Sequence, residues 1–297
     1  MPELPEVQAH AERLSGAYAG MVLERFEPLS FTALKTFDPR PEAAVGRPLA
    51  EVGRRGKYLL LRFGAPVSEA QVRDTSGQDA PTFVVHLMQG GRLRVDPKAA
   101  RKPRGGLARW RFVDADALLL TEAGTEHKAG VWVAGGGPGG DVLTQPPLDE
   151  LGPEADQIDD WTMAGLLAEH SMRLHTFLRD QRILAGLGRR LANEVCHRAR
   201  LSPFAATTKL GDAGAAAVVA AIRAAVDEGL AAERARDDMS ASKERPGNVH
   251  NRSGEACPVC GDVVRAVEYR AYTVKYCATC QTGGKVLADN TTSKFLK

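Results

Sequence analysis

Four cysteines near the C-terminus fall in two tight pairs, Cys257-Pro-Val-Cys260 and Cys277-Ala-Thr-Cys280, with sixteen residues between the pairs. Each Cys-x-x-Cys is a turn that sets two thiolates on one edge of a tetrahedron, and the interval is long enough for a β-hairpin that brings the two edges together. This spacing predicts a structural Zn²⁺ held by Cys257, Cys260, Cys277 and Cys280. So short a segment lacks a core of its own, and metal binding would supply its folding free energy. Two disulfides, or unligated thiols, are the alternative that a reducing compartment disfavours. Cys196, within a helical pattern, reads as a small buried hydrophobe rather than a reactive thiol.

The other end of the chain offers a nucleophile. Met1 precedes Pro2, a small residue after which an initiator methionine is commonly removed, which would leave a secondary amine at the N-terminus. An α-amino group has a pKa of about 7.7–8.0 against about 10.4 for lysine, so part of it is unprotonated near neutrality. Attack on a sugar C1′ by such an amine gives an iminium that cannot lose its charge at nitrogen, and this cation is an electron sink for elimination. Glu3 lies beside it, placed to protonate a ring oxygen or shuttle protons. The plain structural alternative is helix punctuation, which Pro2, Glu3, Pro5 and Glu6 all suit.

Two further segments carry candidate chemistry. Arg54-Arg55-Gly56-Lys57 is a basic turn leading into the apolar run Tyr58-Leu59-Leu60-Leu61. Lys57 would stand at the mouth of that strand, either as a point charge for a phosphate or as a solvated turn lysine. In Asp180–Glu194 (DQRILAGLGRRLANE), two glycines precede a helical pattern. They allow close backbone approach to a ligand and offer free helix-start amides, and an ordinary turn between helices is the competing reading.

The elements that must position these residues are of two kinds. Leu4, Val7, Ala11, Leu14 and Tyr18 recur three or four apart, which predicts a helix over residues 4–18 with Pro5 in its first turn. MVLERFEPL, KYLLLRF, TFVVHLM, GRLRV, ARWRFV, DALLLTE and AGVWVAG then read as strands of a mainly β domain, ended by the Gly/Pro-rich 135–147. Beyond it, IDDWTMAGLLAEHSMRLHTFLRDQRILAGLGRRLANEVCHRARL reads as helices broken at Gly186 and Gly188, and GDAGAAAVVAAIRAAVDEGLAAERA as a long helix. The polar 236–256 stretch precedes the cysteines, and its part up to His250 suits either a functional loop or a flexible linker. No internal repeat is present.

At 297 residues, 43% hydrophobic and 26% charged, the composition is that of a globular chain and excludes disordered and fibrous classes. No stretch reaches the roughly 18 apolar residues of a membrane helix, and the acidic N-terminus lacks a secretory pattern, so a cytoplasmic protein with no membrane association is expected. The net charge of +2 hides two basic islands. Residues 91–110 hold seven basic side chains against one acidic, and residues 171–210 eight against two. A phosphate-binding face needs such clusters, although two solvated surfaces would look the same.

In order along the chain, PELPEV, RRGKYLLL, HLMQGGRL, QRILAGLGRRLANE and CPVC…YCATCQTGGK resemble the formamidopyrimidine-DNA glycosylase and endonuclease VIII family. The resemblance spans essentially the whole chain. It implies an α+β protein. An N-terminal β-sandwich domain with its N-terminal helix would occupy 1–147, a helix-two-turn-helix domain 148–246, and a zinc ribbon 247–297. Damaged DNA would lie in the cleft between the halves. By the same resemblance Pro2 is the nucleophile, Glu3 the general acid/base, Glu6 a supporting carboxylate and Lys57 the phosphate-holding lysine. His86, Gln89, Arg189 and Arg270 are then the DNA contacts. The chain departs from the family pattern at four places. Arg189 stands where an Asn is usual, and Tyr272 where an Arg is usual, with Arg270 two residues earlier. Gln89 replaces the void-filling Met, and GTEHKAGVW replaces the Arg-Arg-Phe loop.

The implied activity is that of a bifunctional glycosylase and AP lyase of base excision repair. It would evert an oxidised base, expel it through a Pro2 iminium, and cleave the strand by β- and δ-elimination. A monomer is the simplest expectation. Two alternatives stay open: a non-catalytic damaged-DNA-binding protein of the same fold, and a specialised member acting on single-stranded, abasic or crosslinked DNA.

Overall fold

The computed structural model describes residues 1–64, 81–123, 127–135, 141–239, 245, 247–269 and 272–287. Part of the Gly-rich 135–147 segment, part of GTEHKAGVW, part of the 236–250 stretch and Arg270 lie outside the described residues. Two compact units are distinguished, one of residues 1–2 and 7–150, the other of residues 3–6 and 151–297.

The helix predicted over 4–18 is α1 (Leu4–Tyr18). The residues that set its period, Leu4, Val7, Ala11, Leu14 and Tyr18, are all buried. In the first unit, β1 (Leu23–Pro28), β6 (Gly106–Phe112), β7 (Ala115–Glu122) and β5 (Gly91–Asp96) form one antiparallel sheet in the order β1-β6-β7-β5. β2 (Leu49–Arg55), β3 (Tyr58–Phe63), β4 (Thr82–His86) and β8 (Gly130–Ala134) form the second, in that order and also antiparallel. Aromatic side chains close the core of a β-sandwich. Phe83 of β4 lies 5.1 Å from Phe26 of β1 and 5.7 Å from Trp110 of β6, ring centre to ring centre. These separations are those of favourable tilted and edge-on aromatic pairs. α1 is tied to this unit by Ser15, whose hydroxyl accepts from the Val52 amide at 3.1 Å, and by His10, hydrogen-bonded to the Leu93 carbonyl at 2.7 Å.

All seven strand-like runs contain strands. β2 is an addition that the sequence does not announce: LAEVGRR buries only Leu49 and Val52, with polar or half-buried residues elsewhere and Gly53 inside it. Its strand character comes from pairing with β3, whose Leu59, Leu60, Leu61 and Phe63 are all buried. Arg55 pairs with Tyr58, leaving Gly56-Lys57 as a two-residue turn with Gly56 at φ +55°. Hairpin turns of this length need a positive φ, which glycine adopts without strain.

The second unit is helical up to its C-terminal ribbon. α2 (Asp160–Glu169) starts at Asp159, whose carboxylate accepts from the Thr162 amide at 2.7 Å. α3 (Leu174–Phe177) is a single turn, and α4 (Arg189–Arg198) and α5 (Gly211–Arg234) complete the set. The stretch 178–188, read from sequence as partly helical, is turns. Gln181 holds it by accepting from the Gly186 amide and donating to the Arg179 and Leu187 carbonyls, a local network that competes with helix. Leu4 is buried in one cluster with Phe177, Leu187, Leu191 and Ile222, and Cys196 sits there as a fully buried apolar residue. β9 (Val264–Glu268) and β10 (Thr273–Cys277) pair antiparallel and lead into the short α6 (Ala278–Thr282).

Phe83 is the common partner of the sandwich aromatics, so Phe83→Ala removes a large buried ring from both sheets at once. We predict a loss of about 3–5 kcal/mol in denaturant unfolding; a loss below about 1 kcal/mol contradicts this packing.

Candidate active site and metal centre

Glu3 is buried at 4% exposure, and its carboxylate is held by backbone amides. Oε1 accepts from the Arg190 N–H and Oε2 from the Leu191 N–H, each at 2.9 Å. These are first-turn amides of α4, which the helix itself cannot satisfy. The residue before the helix, Gly188, has no side chain to cap them, so Glu3 supplies the cap from elsewhere in the sequence. The positive end of the helix dipole favours the anion there. Gly188 must remain a glycine, because a Cβ would lie 2.5 Å from Glu3 Cδ. Gly186, at φ +102°, passes close to Leu4, where a Cβ would lie 2.8 Å from Leu4 Cδ1, and its carbonyl accepts the Leu4 amide at 3.0 Å.

Glu6 adds a second buried carboxylate. Its Oε2 accepts from the Glu3 backbone amide at 2.9 Å, and its Oε1 lies 2.8 Å from Arg245 Nη2, an ion pair not aligned as a hydrogen bond. Burial pushes the Glu6 carboxyl above its usual range, and the Arg245 guanidinium pulls against that shift. Two carboxylates one helical turn apart are thus held in different environments, one by amides and one by an arginine.

In the first unit, Lys57 is buried at 5% exposure in the β2–β3 turn. Next to it is His86, the last residue of β4, paired with Tyr58 and in tilted ring contact with it at 4.5 Å between ring centres. Burial first, and the Lys57 charge second, lower the His86 pKa to about 4. The Met88 amide donates to His86 Nδ1 at 3.3 Å, which places the ring proton of the neutral imidazole on Nε2. Gln89 is exposed at the tip of the following turn.

The C-terminal ribbon brings the cysteines together. Cys257 Sγ is 3.9 Å from Cys280 Sγ, and Cys260 Sγ is 3.3 Å from Cys277 Sγ. Four thiolates at about 2.3 Å from a tetrahedral ion lie about 3.8 Å apart, so the cage has the dimensions of a metal site. Its chemistry agrees. Burial pushes the Cys277 thiol up to about 11 and the Cys280 thiol higher still, while a backbone hydrogen bond from Asp262 pulls the exposed Cys260 thiol down, and a bound cation would favour the thiolate at every position. The turns are fixed independently of any ion. The Gly261 amide donates to the Cys257 carbonyl at 2.9 Å, and Asp262 Oδ2 accepts from both the Thr279 amide and hydroxyl, linking the two knuckles. A fifth donor stands in the same place: His197 of α4, whose Nε2 is 3.4 Å from Cys257 Sγ. The donor atoms of His197, Cys257, Cys277 and Cys280 all lie within 4.8 Å of one another.

Comparison with known proteins decides the family. Residues 1–123 match the formamidopyrimidine-DNA glycosylase N-terminal domain. A formamidopyrimidine-DNA glycosylase of Symbiobacterium thermophilum is 30% identical over 294 residues, covering 95% of this chain and 89% of that one. The chain belongs to the formamidopyrimidine-DNA glycosylase family. An uncharacterised formamidopyrimidine-DNA glycosylase-like protein of Mycobacterium tuberculosis is 40% identical over 161 residues, 51% of this chain and 98% of its own. The fold is likewise that of the Lactococcus lactis formamidopyrimidine-DNA glycosylase, solved non-covalently bound to DNA containing an AP site. That structure gives a TM-score of 0.76 at 19% identity, covering 94% of this chain and 99% of that one.

Within this formamidopyrimidine-DNA glycosylase fold, Glu3 and Glu6 meet at the start of α4, where Arg189 is the first helical residue, half-buried. Lys57 meets His86, and the four cysteines meet one another. Pro2 is buried with Met1 attached, and Arg270 lies outside the described residues. Residues that the sequence did not single out are Arg245, His197 and a cluster near α4. In that cluster the Tyr272 ring stacks on Tyr269 at 4.8 Å and beside His175 at 5.8 Å, while the Arg179 guanidinium lies 4.1 Å over Tyr272. A cation held on an aromatic face is a cation–π pair. The Tyr272 substitution noted in the sequence is the only local signal for it. No helix of the described residues is long and apolar enough to cross a membrane.

Gly188→Ala would drive the Glu3 carboxylate off the α4 amides. The expected effect is a fall of order 10²-fold in single-turnover base excision with KM little changed, since misplacement by about 1 Å costs that much; wild-type turnover in this variant overturns the assignment. A histidine with folded pKa near 4 stays neutral where the unfolded chain, at 6.5, takes up a proton. Stability contributed by neutral His86 is therefore complete above pH 6.5 and lost as pH falls toward 4. The thermal midpoint should decline across that window, and the His86 ring resonances should titrate near 4; titration near 6.5 contradicts its burial beside Lys57.

Proposed function

We propose that the chain is a bifunctional DNA glycosylase and AP lyase that removes oxidised bases from damaged DNA through its N-terminal proline. Its membership in a family of DNA-repair glycosylases fixes the coarser activity. The observation that carries the finer reading is the Glu3 carboxylate, buried beside Pro2 in sequence and clamped by two α4 amides with Glu6 on its own backbone. A carboxylate so immobilised suits directed proton transfer, because its orientation is set before substrate arrives.

In this reading removal of Met1 turns the Pro2 nitrogen from an amide into a secondary amine. That nitrogen attacks C1′ of the everted nucleotide. The C1′–N bond to the base breaks and the base leaves with the electron pair, taking a proton from solvent; the proton released by the Pro2 nitrogen passes to the Glu3 carboxylate, which delivers it to the sugar ring oxygen as the ring opens to the iminium. Loss of a C2′ proton then drives out the 3′ phosphate, and a second elimination drives out the 5′ phosphate, leaving a one-nucleotide gap. Hydrolysis of the iminium frees Pro2. Lys57 holds a backbone phosphate, with His86 neutral beside it so that a second cation does not compete. Gln89 and Arg189 contact the DNA, as does Arg270. Arg179, oriented by Tyr272, adds a guanidinium suited to a phosphate.

The same reading assigns a structural Zn²⁺ to Cys257, Cys260, Cys277 and Cys280, with the Lys275 amide and His250 ring tied to Asn193 of α4 beside it. The ion stabilises the hairpin and takes no part in the chemistry.

Mass spectrometry of the purified protein should show Met1 removed. Borohydride with abasic-site DNA should trap one covalent adduct per chain, lost in Pro2→Gly. A retained Met1 in protein that still traps, or an adduct undiminished by Pro2→Gly, places the nucleophile elsewhere.

A further inference from the structure

Nε2 of His197 and the sulfurs of Cys257, Cys277 and Cys280 lie within 4.8 Å of one another, and Cys260 Sγ joins them 3.3 Å from Cys277 Sγ, so five donors stand where a zinc ion takes four. The surplus donor comes from another element of the second unit, the last turn of α4, and is itself buried at 3% exposure. Two roles are open to it. As a ligand it would present an Nε2 lone pair, with its proton on Nδ1. As a hydrogen-bond donor it would carry the proton on Nε2 and leave Nδ1 bare.

The surroundings of Nδ1 separate the two. This atom is buried and has no hydrogen-bond partner among the described residues. Metal-ligating histidines hand the proton of the second nitrogen to a carboxylate, carbonyl or water, which fixes the tautomer. A proton on Nδ1 of His197 would find no acceptor, and orphaned buried N–H groups are rarer than under-used acceptors. The tautomer with Nε2–H leaves only a bare acceptor unsatisfied and points its donor at Cys257 Sγ, 3.4 Å away.

We propose that His197 donates an Nε2–H hydrogen bond to the zinc-bound thiolate of Cys257 and is not itself a ligand. Zinc with four thiolates carries a formal charge of −2, and this donor withdraws charge from one sulfur. It thereby lowers that sulfur's nucleophilicity and slows both protonation and loss of the ion. The bond also fastens the last turn of α4 to the ribbon, at the opposite end of the helix from the amides that hold Glu3. Cys260, the exposed member of the set, is left as the point where electrophiles and chelators enter.

The inference rests on the zinc-site reading, and the test separates the two. Full-length protein is assayed for bound zinc, then for zinc release to a chromophoric chelator with and without N-ethylmaleimide, as wild type, His197→Phe and His197→Gln. The expected result is one zinc per chain, release about 10-fold faster in His197→Phe, and a rate partly restored by the neutral donor of His197→Gln. Cobalt-substituted wild type and His197→Phe should give the same four-sulfur spectrum. A wild-type spectrum of three sulfurs and one nitrogen that changes in His197→Phe makes His197 a ligand and overturns the proposal. Equal release rates with zinc bound also overturn it while leaving the cysteine site intact. Absence of zinc from the wild type removes the site reading itself. Should His197→Phe fail to fold, nitrogen–proton correlation spectra of the wild-type ring decide: a proton on Nε2 supports the hydrogen bond, and one on Nδ1 overturns it.

Discussion

A helix start with no cap of its own is the constraint on which the site depends. α4 begins after Gly188, and its free amides are met by a carboxylate nearly two hundred residues away in sequence, Glu3. This clamp solves two problems: it satisfies buried donors that would otherwise destabilise the helix, and it immobilises the carboxylate that follows Pro2 in sequence. It also explains the glycines. Gly186 lets Leu4 approach and bond through its amide, and Gly188 leaves the space that the Glu3 carboxylate fills. Stability and catalytic geometry are therefore not independent here, because the residue proposed to move protons is also a structural cap.

The ribbon has the opposite character. Among the described residues its buried apolar clusters are small: Val249, Val264, Cys257 and Cys277 in one, and Val267, Tyr276 and Ala278 in another. Such clusters do not offset the entropy of ordering the hairpin. In the proposed reading an ion held by the cysteines does so, helped by fastenings to α4. Asn193 accepts from the Lys275 amide, Glu194 accepts from three successive amides at Asn248, Val249 and His250, and Gln281 donates to the Leu201 carbonyl just beyond the helix.

How much of this was legible in the sequence follows from whether the signal was local. The paired cysteines, the two-residue turn carrying Lys57 and the period of α1 all lie within short windows, and each stands where the pattern put it. Strand β2 was not legible, because LAEVGRR owes its conformation to the β3 residues beside it. Nor were His197, Arg245 or Arg179. Each is defined by a partner from a distant segment, Cys257, Glu6 and Tyr272 respectively, and a lone histidine or arginine in a helical or polar stretch carries no mark of its partner. The turns at 178–188 were misread as partly helical for the same reason: the Gln181 side chain, not the apolar period, settles that backbone.

The anchors along α4 deserve to be viewed as a sequence in space. Positions 190 and 191 take Glu3, 193 and 194 take the approach to the ribbon, and 197 faces the cage, all within a ten-residue helix. Successive residues are rotated by about 100° around a helix. Inserting or deleting one residue would swing every later anchor to a different side while leaving the earlier ones in place. The segment thus behaves as a keyed shaft: its length and phase, more than the identity of any exposed side chain, carry the information that sets carboxylate and thiolates in one frame.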